Sequence, residues 1–148
     1  LFRSGIRVGW VASNTEVADI LRDYRDYTMI CAGVFDDMVA TLVLENKEAI
    51  LERNRQIVEE NLALMDAWIA KEPKASWIRP ASVSTSFVKL DVNRPIEDFA
   101  LELLQDYGVL VVPGNRFDKE SHVRIGYCCD KEVLQKGLEK LSQFLNKC

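Results

Sequence analysis

From Phe35 to Lys71 the chain holds neither Pro nor Gly, and Phe35, Met38, Val39, Leu42, Ile50, Ile57, Leu64, Met65 and Trp68 recur at approximately helical spacing. At the rise of an α-helix this stretch is roughly 55 Å long, more than a small domain is wide. It reads as a long connecting helix, with a bend or break expected near Asn46 or Asn54. Residues 34–72 carry nine acids and four bases, so much of the outer face is solvated. A coiled coil is the competing reading, but the a/d heptad is not sustained through Lys47 to Arg55. Glu72-Pro73 ends the helix, because the residue before a proline is pushed out of the helical region.

What flanks this helix differs on its two sides. Upstream, Ile6 to Ala12 is short, apolar and β-rich, as in a buried strand. Ser13 and Asn14 offer caps, and Glu16 stands three residues after Ser13 as in a capping box. A helix from about Thr15 to Tyr27 then places Val17, Ile20, Leu21 and Tyr24 on one face. Strand followed by helix is one step of an α/β layer, and a single strand makes no sheet. Without neighbours, this strand and the apolar face of its helix are expected to pair with another chain or to lose order.

Downstream, Ser84 to Asp91 alternates as a strand does. Pro95 opens a helix from Ile96 to Tyr107 with Phe99, Leu103 and Leu104 inward, and Gly108 follows where a left-handed cap suits glycine. Val109 to Val112 reads as a strand stopped by Pro113-Gly114, and Val123 to Cys128 as another. Lys131 to Lys147 closes the chain as an amphipathic helix with Val133, Leu134, Leu138, Leu141 and Phe144 on its apolar side. The fold class is α+β: the end of an α/β large domain (1–33), the long connecting helix (34–72) and a small domain of helices on a small sheet (73–148).

Composition narrows the function classes. With 148 residues, 48% hydrophobic and 28% charged, the chain has the balance of a globular domain. A net charge of −4 gives no reason to expect nucleic acid or an anionic membrane as partner. No apolar run is long enough to span a bilayer and no signal peptide opens the chain. Cys31, Cys128, Cys129 and Cys148 form no CxxC pair and read as structural thiols, with no metal site expected. The cytosol is the expected compartment. A start at Leu1, already inside a Gly-Ile-Arg-Val-Gly-Trp stretch, reads as a piece of a longer protein.

Three stretches carry a resemblance: Ser4-Gly5-Ile6-Arg7-Val8-Gly9-Trp10, Tyr107-Gly108-Val109-Leu110-Val111-Val112-Pro113-Gly114, and His122-Val123-Arg124-Ile125-Gly126-Tyr127. Their order and the helices between them resemble fold-type-I enzymes dependent on pyridoxal 5'-phosphate (PLP), aminotransferase classes I and II. That resemblance implies an arginine contact to the cofactor phosphate at Arg7 and a grip on the substrate's α-carboxylate at Arg124. It places the Schiff-base lysine just upstream of Leu1, so no catalytic residue is expected within this chain. It also implies amino acid and 2-oxo acid substrates and a homodimeric parent protein. The turn Pro113-Gly114-Asn115-Arg116-Phe117 and the Cys31-Ala32-Gly33 stretch depart from the best-known members.

The residue types suit these roles. A guanidinium is always charged, planar and able to make two parallel hydrogen bonds to a phosphate or carboxylate. Arg7 sits in an otherwise apolar stretch. Arg124 shares a strand face with Gly126 and Cys128, while Val123, Ile125 and Tyr127 take the other. The bland readings are a structural arginine at position 7, and at position 124 a surface salt bridge to Glu120 or Asp118. His122, the only histidine, has no orienting partner in the sequence and reads as structural. Asn115 and Arg116 read as a solvated loop, and Asp36-Asp37 as acids at a helix N-terminus. The leading expectation is a fragment of an aminotransferase, with the two guanidinium groups gripping the two anionic ends of one cofactor–substrate pair. A lyase, decarboxylase or cyclase of the same fold, or a non-catalytic α+β interaction module, stays open.

Overall fold

A computed structural model describes residues 7–148. The elements in order are α1 (Thr15–Thr28), α2 (Val34–Glu45), α3 (Lys47–Ile69), β1 (Ala75–Trp77), β2 (Thr85–Leu90), α4 (Ile96–Tyr107), β3 (Val112–Pro113), a 3-10 turn (Gly114–Phe117), β4 (His122–Gly126) and α5 (Lys131–Leu145). The chain divides into two compact units between Glu52 and Arg53, within α3.

In the first unit, residues 7–14 form no strand, and Ile6 lies outside the described residues. The strand expected over Ile6 to Ala12 is therefore absent from residues 7–12. A lone strand leaves its N–H and C=O groups unpaired, and the described part of the chain offers it no partner. Helix α1 forms as expected, but its cap is Asn14 and not Ser13: the Asn14 Oδ1 accepts the Val17 N–H at 3.0 Å. The apolar stripe of Val17, Ile20, Leu21 and Tyr24 is there, and all of it is exposed. No residue of α1 or α2 is buried; Tyr27 is 91% and Phe35 81% exposed.

The long helix is broken at Asn46, one of the two expected places. The Asn46 N–H turns back to the Leu42 carbonyl, and its side-chain amide donates to the same oxygen at 2.8 Å. An asparagine amide that competes for a helix carbonyl in this way ends the run. The α3 ladder restarts when the Ile50 N–H reaches the Asn46 carbonyl. Asp36 and Asp37 stand in the first turn of α2, as a helix dipole favours.

The second unit holds the core. Its sheet has the order β1-β2-β4-β3, every pair antiparallel. Helix α4 spans the expected residues and stops at Gly108, whose φ of 65° is the left-handed cap that glycine adopts without a side-chain penalty. Strand β1 was not expected from sequence, being only three residues long. β3 begins at Val112, so Val109–Val111 are not strand. Val88, Leu90, Val123, Ile125 and Tyr127 meet Phe99, Leu103, Leu134, Leu138, Leu141, Phe144 and Leu145 in one cluster, joined by Leu62 and Met65 of α3. Leu104 and Val133, expected inward, are exposed, and Leu145 takes a core place instead.

Polar ties fasten α3 to this core. The buried Asn61 amide donates to the Tyr127 and Cys129 carbonyls, each at 2.7 Å. The Trp68 Nε1 donates to the Ser142 hydroxyl at 2.8 Å, which donates to the buried Glu72 carboxylate at 2.7 Å. Replacing Asn61 by leucine leaves two backbone carbonyls without a donor. It should lower the unfolding free energy by about 2–4 kcal/mol, read from urea titration of the chain. An unfolding midpoint unchanged from wild type would show that the amide is not what ties α3 to the end of β4.

Candidate functional site

Arg124 stands in the middle of β4. The two-residue period of the strand sends Val123, Ile125 and Tyr127 into the core and Arg124 and Gly126 to the open face, as the alternation predicts. Register pairs Arg124 with Phe87 of β2 and with Val112 of β3, so all three lie on that outer face. Among the described residues Arg124 makes no ion pair, and neither Glu120 nor Asp118 is in salt-bridge range. Its guanidinium carbon lies 5.1 Å from the centre of the Phe117 ring.

Around it the aromatic rings form a row. Phe87 meets Phe117 edge-on at 5.8 Å and 89°, and stacks on His122 at 5.1 Å and 18°. His122 is also fixed by a 2.8 Å hydrogen bond between its Nδ1 and the Glu120 carbonyl.

Phe117 comes from the 3-10 turn, and two features set that turn. A Cβ on Gly114 would lie 2.3 Å from the Lys119 carbonyl oxygen and 2.6 Å from that of His122, so only glycine lets the turn close against the start of β4. Glu97, in the first turn of α4, accepts from the Asn115 amide at 2.7 Å and from the Arg116 guanidinium. Asn115 and Arg116, expected as a solvated loop, are thus tied to α4. The Glu97 carboxyl is held below the usual carboxylate range, first by the Asn115 hydrogen bond and then by the Arg116 charge.

Arg7 lies in the irregular stretch before α1 and is exposed, where a buried strand had been expected; without the strand there is no sheet to bury it. It belongs to the first unit and Arg124 to the second. Phe87, Phe117 and Glu97 escaped the sequence reading. An aromatic residue on the outward face of an alternating strand, as Phe87 is, was the available signal. No cluster of three or more metal-ligating side chains occurs among the described residues. None of their helices is long and apolar enough to cross a membrane.

A lowered carboxyl pKa in the folded state stabilises above the unfolded-state pKa, and that contribution is lost as pH falls through the folded value. Glu97→Gln should therefore remove a small, salt-sensitive part of the stability lost on acidification below the ordinary glutamate range. Urea unfolding of both proteins from neutral pH to pH ~3 measures it; parallel stability curves would contradict it.

The chain is similar in sequence and fold to known proteins. The profile of aminotransferase class I and II matches residues 3–141. Capreomycidine synthase of Streptomyces vinaceus is 28% identical over 95% of this chain and 36% of its own length. A probable N-acetyl-LL-diaminopimelate aminotransferase of Bacillus subtilis is 26% identical over 97% of the chain and 37% of its own. The crystal structure of a PLP-dependent aminotransferase from Streptococcus suis 89-1591 is 66% identical with a TM-score of 0.92, covering 97% of this chain and 38% of that one. A PLP-dependent cyclase is 26% identical with a TM-score of 0.88, covering 97% and 40%. The chain therefore spans little more than a third of the length of these relatives, and it belongs to the aminotransferase class I and II family.

Proposed function

We propose that this chain is the C-terminal portion of a PLP-dependent aminotransferase that moves an amino group between an amino acid and a 2-oxo acid. The family match over residues 3–141 carries the reading, and the open guanidinium of Arg124 supports it. The donor set suits the cofactor and substrate, which present two anions, a phosphate and a carboxylate. Arg7 and Arg124 are arginines on exposed surface with no carboxylate partner among the described residues.

In this reading Arg124 grips the substrate α-carboxylate by a forked pair of hydrogen bonds and so orients the α-carbon. Arg7 binds the phosphate. When bound, the cofactor ring supplies an electron sink for charge developing at the α-carbon. The lysine that holds the cofactor and moves the proton belongs to sequence before Leu1, so this chain contributes binding and orientation. The residues divide into a remnant of the cofactor-binding domain (1–33), a connecting stretch that holds α2 and α3 (34–72) and a small domain (73–148). We further infer a homodimeric parent in the cytoplasm, where the four free cysteines fit a reducing compartment.

A second reading has a specific observation behind it. Two of the similar proteins, capreomycidine synthase and the PLP-dependent cyclase, are named for reactions other than transamination. The full-length enzyme, given an amino acid and a 2-oxo acid, should form the new amino acid and the new 2-oxo acid in equal amounts. Consumption of the amino acid without that pairing would favour the cyclase or lyase chemistry. Arg124→Gln should raise KM for the amino acid roughly thirtyfold or more, the equivalent of losing about 2–5 kcal/mol of charge pairing. Arg7→Gln should weaken cofactor retention at least about tenfold, seen on dialysis. Wild-type values in either variant would remove that residue from the site.

A further inference from the structure

We propose that Phe117 is a positioning residue for Arg124, a fixed shelf that holds the guanidinium ready for a carboxylate. The inference rests on the reading of Arg124 as the carboxylate clamp. An exposed arginine has a long stem with many rotamers, and fixing it on ligand binding costs entropy. Contact with a ring face restricts the head group while using none of its N–H donors, because the attraction comes from the quadrupole of the ring. The five N–H groups stay available for a forked grip. The Phe117 ring lies against the Arg124 guanidinium at 5.1 Å.

A shelf works only if it is itself held, and this one is held from two sides. Phe87 braces the Phe117 ring edge-on, with His122 stacked behind it. Phe87 is also the cross-strand partner of Arg124, so brace and clamp belong to one register. The backbone of the turn is fixed separately, by the close packing at Gly114 and by the grip of Glu97 on Asn115 and Arg116. The arrangement runs from the first turn of α4, through the turn after Pro113, to a single outward side chain on β4. None of the ring contacts buries Phe117, which is 45% exposed, so general core packing does not account for the ring.

Propionate has a carboxylate and no amino group to react, so calorimetric titration of the full-length holoenzyme with propionate reads the clamp alone. Phe117→Leu should weaken propionate binding about fivefold. Phe117→Tyr, which keeps the ring face, should restore it, and both variants should melt with the wild type because the ring is not core. Arg124→Gln is the control for the underlying reading. Loss of propionate binding in Arg124→Gln with wild-type affinity in Phe117→Leu would overturn the shelf and leave the clamp standing. Equal losses in Phe117→Leu and Phe117→Tyr would also overturn the shelf. Wild-type affinity in Arg124→Gln would overturn the clamp and the shelf together.

Discussion

Burial of Val123, Ile125 and Tyr127 in one core fixes where Arg124 points. A strand has a period of two, so each residue given to the core sends its neighbour to the other face, and a slip of one place would put a guanidinium among leucines. Register with β2 and β3 on both sides of β4 locks that choice. The buried Asn61 amide then holds the chain just past β4 to α3. Stability and site are thus one construction: the residues that make the second unit fold are those that leave Arg124 open.

The first unit follows a different logic. Helices α1 and α2 carry large apolar side chains, yet none of their residues is buried. Helices with such faces bury them when a partner is present. Among the described residues, the buried hydrophobic side chains lie from Leu62 onward, in the second unit. The relatives are more than twice as long as this chain.

Much of the second unit was legible in the sequence because its signals are local. Pro95 and Gly108 bracket α4, and the alternation from Val123 to Tyr127 gave both the strand and the face of Arg124. The break at Asn46 was legible as a place but not as a mechanism, since it depends on a side-chain amide reaching back to Leu42. Residues 7–12 read as a strand because they are apolar and β-rich, but strands are made by partners, and pattern does not supply one. The turn around Gly114 read as solvated loop because Glu97, which holds it, is far away in sequence. Phe117 was hidden for the same reason: its role exists only where the turn meets β2 and β4.

The central claim is that the Arg124 guanidinium, free of any carboxylate within the described residues, is the group that receives the carboxylate of the substrate. A crystal structure of the full-length enzyme with a bound 2-oxo acid tests it most directly. The account predicts both carboxylate oxygens within hydrogen-bond distance, about 2.7–3.2 Å, of two Arg124 nitrogens. A carboxylate held by another cation, with Arg124 turned into solvent, would contradict it.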